Sequence, residues 1–154
     1  ITFWRGVSRA LSPATLRIVA VVAIVVALIR RRPRIGAFLG ATVILMGLVI
    51  VGAKGLSDRP RPATALAFES STSFPSGHAL GITVAVLAFT TVLWPSLKPA
   101  LRVPVVVLDV GLILLVGLSR VALNVHHPTD VVAGWTLGLL YYLLCLALVP
   151  PSRV

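Results

Sequence analysis

The sequence predicts an all-α protein, a multi-pass bundle of membrane-spanning helices. Three observations support this fold class. Hydrophobic residues make up 58% of the 154 residues and charged residues only 12%, the mean hydropathy is +1.03, and the apolar residues are concentrated in long runs. Most of these runs approach the ~20 residues that a helix needs to cross a bilayer. Since soluble domains have far more charged residues, we expect a single membrane-embedded domain over residues 1–154.

Five runs are predicted to be membrane spans. The first begins at Pro13, behind the favourable N-cap residue Ser12, and ends at Ile29. In the last span, Gly134 and Gly138 are predicted to let a neighbouring helix approach closely. The single cysteine, Cys145, also lies there and is expected to be a buried, inert thiol. The other four predicted spans are Ile35–Ala53, Ala79–Leu97, Val103–Leu118 and Val131–Val149.

The net charge of +10 is expected to reflect membrane topology rather than nucleic-acid binding, because the basic residues lie between the apolar runs. Basic residues are equally frequent on the two sides if all are counted. If Lys54, Arg59, Arg61 and Arg120 are assigned to a binding site, one side has the excess, and the positive-inside rule places it in the cytoplasm. That side carries Arg30, Arg31, Arg32, Arg34, Lys98, Arg102 and Arg153.

Three polar segments are predicted to meet on the opposite, extracytoplasmic face, because successive spans alternate in direction. The first reads KGLSDRPRP (Lys54 to Pro62), the second PSGH (Pro75 to His78), and the third SRVALNVHHPTD (Ser119 to Asp130). Polar and ionisable groups that converge at the ends of membrane helices are typical of a functional site.

The second segment is suited to binding an anion. Ser76 can cap the helix that begins near His78, so that the first backbone N–H groups and the positive end of the helix dipole point at the site. Gly77 would allow an oxyanion to approach the backbone closely. A Pro-Ser-Gly sequence is also common in ordinary capped turns, so this segment alone does not establish a site.

The third segment combines a histidine with a carboxylate. Pro128 suits a first helical turn, which places His126 just outside the helix and Asp130 within reach of one imidazole nitrogen. Such a carboxylate orients the ring and makes the other nitrogen a better nucleophile or base. Arg61, Arg120 and Lys54 would supply positive charge for phosphate oxygens; a histidine at the interface and basic residues that extend to headgroups remain the simpler alternative.

The three segments together resemble the signature of the type 2 phosphatidic acid phosphatase superfamily, whose membrane members remove phosphate from lipid phosphates or pyrophosphates through a phosphohistidine. The matching residues are Lys-x6-Arg-Pro from Lys54, Pro-Ser-Gly-His ending at His78, and Ser-Arg-x5-His-x3-Asp ending at Asp130. The resemblance implies His126 as the nucleophile, Asp130 as its orienting carboxylate and His78 as the acid for the leaving group. It implies phosphate binding by Lys54, Arg61, Ser76, Gly77 and Arg120.

The resemblance also implies no metal and no cofactor, and a lipid phosphate substrate of the polyprenyl pyrophosphate, phosphatidate or phosphatidylglycerophosphate type in the cell membrane. The short loops and the abundance of Val, Ala, Leu and Arg favour a bacterial protein. Members of the family have six spans, so we expect a further span before Ile1. Among the remaining polar residues, Arg59 is expected to be a rim contact and His127 a headgroup or structural residue. Asp109 is expected to face the bundle interior with a polar partner.

Two alternatives belong to other classes. A vanadate-dependent haloperoxidase carries similar motifs but is soluble, which the hydropathy opposes. A non-catalytic phospholipid-binding or transport protein could retain a phosphate site, although His78, His126 and Asp130 are all present. Release of phosphate from a lipid phosphate distinguishes this alternative from an enzyme.

Overall fold

The computed structural model describes residues 1–152, and within this range the chain forms helices and connectors without a β-strand. The all-α prediction is confirmed. Five helical segments are long and apolar enough to cross a membrane. The α-helices are α1 (Thr2–Ala10), α2 (Pro13–Ile29), α3 (Pro33–Leu39), α4 (Met46–Gly55), α5 (Gly77–Leu93), α6 (Pro99–Ala122) and α7 (Pro128–Leu148).

The five predicted spans correspond to α2, to α3 with α4, and to α5, α6 and α7. Ser12 caps α2 as expected, since its hydroxyl accepts a hydrogen bond from the backbone N–H of Thr15 at 3.2 Å. A turn of π-helix, Gly40–Ile44, joins α3 to α4, and a 3₁₀ turn, Trp94–Ser96, extends α5. The predicted ends differ from the observed ones by a few residues because polar helix ends extend beyond the apolar runs.

Helix α1 was not predicted. Its arginines and serine interrupt the apolar residues, so its nine residues do not form a hydrophobic run. The helix is strongly amphipathic: Ser8 is buried against the bundle, whereas Phe3 is exposed. A short amphipathic helix of this kind is typical of the membrane interface.

Helix α5 forms the centre of the bundle, where most residues from Gly77 to Ala88 are buried. Helix α7 packs closely against it, as the glycine spacing predicts: a Cβ on Gly134 would lie 2.6 Å from the carbonyl oxygen of Ser76, and one on Gly138 would lie 2.9 Å from that of Leu80. The outer faces of α2, α6 and α7 expose many large apolar side chains, as expected for helices that face lipid.

Asp109 has the polar partner that the sequence predicts, since Thr90 donates a hydrogen bond to its carboxylate at 2.7 Å. Cys145 is a buried free cysteine. Arg153, one of the basic residues predicted to be cytoplasmic, lies outside the described residues.

The α4–α5 connector and the α6–α7 turn are hydrogen-bonded to each other at one end of the bundle. The backbone N–H of Leu66, in the α4–α5 connector, donates to the carbonyl of Leu123 at 2.9 Å. Asn124, in the α6–α7 turn, donates from its side chain to the hydroxyl of Thr64 at 2.7 Å. The three polar segments therefore meet on one face, as predicted.

Candidate active site

The start of α5 has the serine cap that its sequence predicts. The Ser76 hydroxyl accepts a hydrogen bond from the backbone N–H of Ala79 at 3.4 Å, and both Ser76 and Gly77 are buried. A Cβ on Gly77 would lie 3.1 Å from Ile50 and 3.9 Å from the Lys54 side chain. The glycine therefore keeps the helix end close to the lysine.

His126 lies directly before α7, and its partner Asp130 lies in the first turn of that helix. The ring Nδ1 of His126 is 3.6 Å from Oδ2 of Asp130. This distance is too long for a hydrogen bond, and Nδ1 is buried without a hydrogen-bond partner. Since apo geometry is often looser than that of a substrate complex, a small shift of the ring would complete the pair.

Asp130 is fully buried and is held by several groups that the sequence did not identify. Oδ2 accepts hydrogen bonds from the Ser73 hydroxyl and from the backbone N–H of His127, the latter at 2.9 Å. Oδ1 accepts one from Arg59 at 2.7 Å. The carboxylate orientation is therefore fixed by groups other than the His126 ring.

Arg59 differs from expectation. We expected a rim contact, but its guanidinium binds Asp130 and also donates to the Thr129 hydroxyl at 2.8 Å. Its role in the site is to support the carboxylate. The histidine at position 127 is the N-cap residue of α7, in agreement with the structural role considered for it.

Arg61 faces the other side of the His126 ring. Its Nη1 lies 3.2 Å from Nε2 of His126 and donates to the carbonyl of Val125 at 2.7 Å. Its Nε donates to the carbonyl of Ser71 at 2.8 Å. Burial lowers the pKa of Arg61, and the carboxylate of Glu69 opposes this shift. A guanidinium is thus held beside the nitrogen that would attack phosphorus.

The environment of His126 favours its neutral form. Burial first, and then the positive charges of Arg61 and Arg120, lower the pKa of His126 to about 3, while Asp130 opposes the shift. A neutral imidazole retains a free lone pair on one ring nitrogen. The ring can therefore act as a nucleophile at neutral pH.

Lys54 reaches the same region from the end of α4. Its Nζ donates to the carbonyl of Thr72 at 2.5 Å, and the Thr72 hydroxyl donates back to the carbonyl of Lys54 at 3.3 Å. The lysine thus holds the α4–α5 connector against the end of α4.

Arg120 is almost fully buried at the end of α6. Its Nη2 forms an ion pair with the carboxylate of Glu69, and its Nη1 donates to the hydroxyl of Ser8 in α1. Oε2 of Glu69 lies 4.0 Å from Arg61. The Glu69 carboxylate therefore lies beside two of the guanidinium groups predicted to bind phosphate.

Sequence reasoning missed the site contacts of Ser8, Glu69 and Ser73. Ser8 lies in a helix that hydropathy does not reveal. Glu69 had a usable signal, since it is the only acidic residue of the connector between the Arg-Pro and Pro-Ser-Gly-His segments, and a buried arginine requires a counter-charge. Ser73 had no such signal.

His78 lies at the start of α5. It lines a cavity of about 810 Å³ together with Arg61, Arg120 and Glu69. The cavity is also lined by residues of α1 and of the connector, namely Arg5, Ser8, Arg9, Ser12, Ala65, Leu66, Ala67, Phe68 and Leu123. The structure thus brings His78, His126, Asp130 and the predicted cations to one end of the bundle, with Arg61 contacting His126 and also lining the cavity beside His78.

This fold and site define a class: an integral-membrane helical protein with basic and histidine side chains clustered at one end of its bundle. The sequence model of the PAP2 superfamily matches residues 34–153, which include all of the predicted site residues. The chain belongs to the PAP2 superfamily.

Individual relatives and a solved structure agree with this assignment. Phosphatidylglycerophosphatase B of Bacillus subtilis (strain 168) is 42% identical over 91 residues, which cover 56% of this chain and 44% of that protein. A lipid A 1-phosphatase of Rhizobium johnstonii is 31% identical over 121 residues, covering 71% of this chain and 46% of that protein. The chain thus spans less than half the length of these curated relatives.

The crystal structure of a transmembrane PAP2-type phosphatidylglycerolphosphate phosphatase from Bacillus subtilis superposes with a TM-score of 0.80 at 28% sequence identity. The superposition covers 95% of this chain and 74% of that structure. The bundle described here is therefore the fold of a membrane PAP2 protein.

Proposed function

We propose that the protein is an integral-membrane lipid phosphatase that acts through a phosphohistidine. The observation that carries this proposal is the placement of the buried His126 ring between the Asp130 carboxylate and the Arg61 guanidinium. His78 lines the adjacent cavity together with Arg61 and Arg120. A nucleophile, its orienting acid and a proton donor on the opposite side are the groups that a two-step displacement requires.

In the first step, Nε2 of His126 attacks phosphorus and the bond from phosphorus to the leaving oxygen breaks. His78 transfers a proton to that oxygen, while the proton on Nδ1 of His126 is directed at Asp130. In the second step a water molecule attacks the phosphohistidine, and the now neutral His78 takes its proton. Phosphate leaves and both histidines return to their starting states.

Arg61, Arg120 and Lys54 would neutralise the equatorial phosphoryl oxygens, with Ser76 and Gly77 contributing hydroxyl and backbone N–H groups. Arg120 and Arg61 already bind a carboxylate at this place, which supports an anion site. Within residues 1–152 no group of three His, Cys, Asp or Glu side chains is arranged as a metal site. We therefore propose a reaction that needs no metal.

The substrate proposed is a lipid phosphate or pyrophosphate of the phosphatidylglycerophosphate, phosphatidate or polyprenyl pyrophosphate type. The family and the printed names of the relatives, which include a phosphatidylglycerophosphatase and a lipid A 1-phosphatase, support this class. The site is proposed to face the extracytoplasmic side, because Arg30, Arg31, Arg32 and Arg34 lie at the other end of the bundle.

The test is phosphate release from these lipids in mixed micelles that contain EDTA, with the protein and its His126→Ala variant. We expect metal-independent release that the substitution abolishes. The neighbouring His127→Asn is the matched control, because it also removes an imidazole but keeps a good N-cap residue for α7, and it should retain activity.

Brief reaction with ³²P-labelled substrate should also label the wild-type protein through an acid-labile, base-stable bond, and should not label His126→Ala. A folded protein that binds these lipids but releases phosphate from none of them would refute the enzyme. It would favour a non-catalytic phospholipid-binding or transport protein.

A further inference from the structure

The cavity beside His78 carries more positive charge than one phosphoryl group requires. Arg5 and Arg9 of α1 line it together with Arg61 and Arg120. Only one carboxylate, that of Glu69, lines the same cavity. The cavity therefore has two basic side chains beyond those that the proposed reaction uses.

The cavity lies on the leaving-group side of the phosphoryl site. In a phosphoryl transfer the nucleophile and the leaving oxygen lie on opposite sides of phosphorus. The cavity is lined by His78, the proposed proton donor to the leaving oxygen, but not by His126, the proposed nucleophile. The part of the substrate that remains attached to the leaving oxygen must therefore occupy this cavity.

Arg5 and Arg9 are available for binding in this place. Arg5 donates from Nη2 to the carbonyl of Leu66 at 2.7 Å, which leaves its other guanidinium donors free to bind a ligand. Neither arginine forms an ion pair with an acidic residue in the part of the chain that the structure describes. They are four residues apart on one helix, so their Cβ atoms are neighbours on one helix face.

Helix α1 is anchored to the catalytic groups rather than merely lying near them. Ser8, between the two arginines in sequence, is buried and accepts a hydrogen bond from Arg120. The apolar cavity residues Leu66, Phe68 and Leu123 lie on the same side. The cavity thus combines basic side chains with apolar surface, as a charged lipid headgroup requires.

We propose that Arg5 and Arg9 form a subsite for a second phosphate, the one that stays on the leaving group, so that the site prefers lipids that carry two phosphates. This inference rests on the proposed function. Two substrate classes have the required chemistry: a lipid pyrophosphate, whose leaving group is a lipid monophosphate, and a phospholipid with a terminal phosphomonoester, whose leaving group contains a phosphodiester. Phosphatidic acid has no second phosphate.

The two classes predict different kinetic effects of the subsite. In a pyrophosphate, negative charge develops on the second phosphate as the bond breaks, so the arginines would stabilise the transition state and raise kcat. A phosphodiester keeps the same charge throughout, so the arginines would bind substrate and transition state equally and lower KM. The kinetic constants therefore identify the class.

The test compares Arg5→Gln, Arg9→Gln and the double variant with wild type on three lipids: phosphatidylglycerophosphate, a polyprenyl pyrophosphate and phosphatidic acid. We expect the double variant to lower kcat/KM on a two-phosphate lipid by roughly 10- to 100-fold, the range for lost hydrogen bonds to a charged group. Activity on phosphatidic acid should change by less than about threefold. Lys98→Gln is the control, because Lys98 is exposed and lies near the opposite end of the bundle.

A second measurement does not depend on turnover. Inhibition of wild-type phosphatidic acid hydrolysis by a methylenebisphosphonate lipid should be stronger than inhibition by the matching monophosphonate, and the double variant should remove that difference. Equal losses on all three lipids would overturn the subsite, since they would reflect general attraction of anionic micelles. Unchanged activity on all three would also overturn it, whereas a wild-type protein without activity on any lipid would overturn the proposed function as well.

Discussion

The two sides of the site are built differently. On the nucleophile side, Asp130 is fully buried and is held by three groups besides His126, among them the Ser73 hydroxyl and the Arg59 guanidinium. On the leaving-group side, Glu69 keeps 28% of its side chain exposed, belongs to a connector, and borders an open cavity. Geometry is fixed where the covalent bond to phosphorus would form, and space is left where substrates differ.

The largest effect on activity should come from the nucleophile side. Asp130→Asn keeps the shape but removes the charge and favours the wrong tautomer of His126, so we expect kcat to fall by about 10³- to 10⁴-fold, as in other His–Asp pairs. Steady-state phosphate release measures it. Asp58→Asn removes an exposed carboxylate from the first polar segment and should leave kcat nearly unchanged; a loss below 10-fold for Asp130→Asn would show that Asp130 does not orient the nucleophile.

The next effect concerns Arg120, which contacts the leaving-group side. Arg120→Gln should lower kcat by about 10²- to 10³-fold, because it removes a buried donor to the phosphoryl oxygens. Arg120→Lys retains the charge but not the two-pronged contacts to Glu69 and Ser8, so it should rescue only part of the activity. Full rescue by lysine would mean that charge alone matters there.

The third effect tests the junction that holds the two sides together. In Gly134→Ala the new Cβ would lie 2.6 Å from the Ser76 carbonyl oxygen and 2.9 Å from the Ala79 Cβ. Helix α7 would move away from α5, and we expect a stability loss of about 1–3 kcal/mol, measured by thermal unfolding in detergent, together with reduced activity. Gly111→Ala is the control, because nothing lies within 4 Å of its added Cβ; equal stability of the two variants would refute close packing at Gly134.

A pH series tests the burial of the nucleophile. Because the pKa of His126 falls to about 3 in the folded protein and is about 6.5 when exposed, the unfolded chain binds the extra proton between these values. Proton binding by the unfolded chain therefore lowers the free energy of unfolding as the pH falls below 6.5. The loss relative to neutral pH reaches about 2 kcal/mol at pH 5.

His126→Gln should therefore flatten the decrease in unfolding temperature between pH 7 and pH 5, and His127→Gln should not. An identical decrease in wild type and His126→Gln would show that His126 titrates normally.

The smallest effect concerns Glu69 on the leaving-group side. Glu69→Gln removes the carboxylate that is paired with Arg120. Orthovanadate, an analogue of the transferring phosphoryl group, should then bind about 5- to 10-fold more tightly, because it no longer has to displace one ion pair of modest strength. Inhibition constants measure this. Weaker binding of vanadate would instead assign Glu69 a supporting role in the site.

The spans and the clustering of the polar segments could be predicted because each depends on local sequence. Apolar length identifies a span, and alternating direction then places His78 and His126 on one face. The contacts of Glu69 and Ser73 could not be predicted, because the α4–α5 connector contains several polar residues and only tertiary packing selects which ones turn inward. Helix α1 could not be predicted from apolar length, because its stability depends on an amphipathic face rather than on a long hydrophobic run.

The ion pair between Glu69 and Arg120 has a consequence for the resting protein. A carboxylate tethered to the same chain acts at a high effective concentration, which short flexible linkers raise to the millimolar range. Free phosphate in the surroundings must displace this internal anion before it can occupy the arginines. In the proposed reaction, a lipid substrate would gain additional binding from its apolar chains, so the tethered carboxylate would discriminate against the released phosphate and in favour of the next lipid.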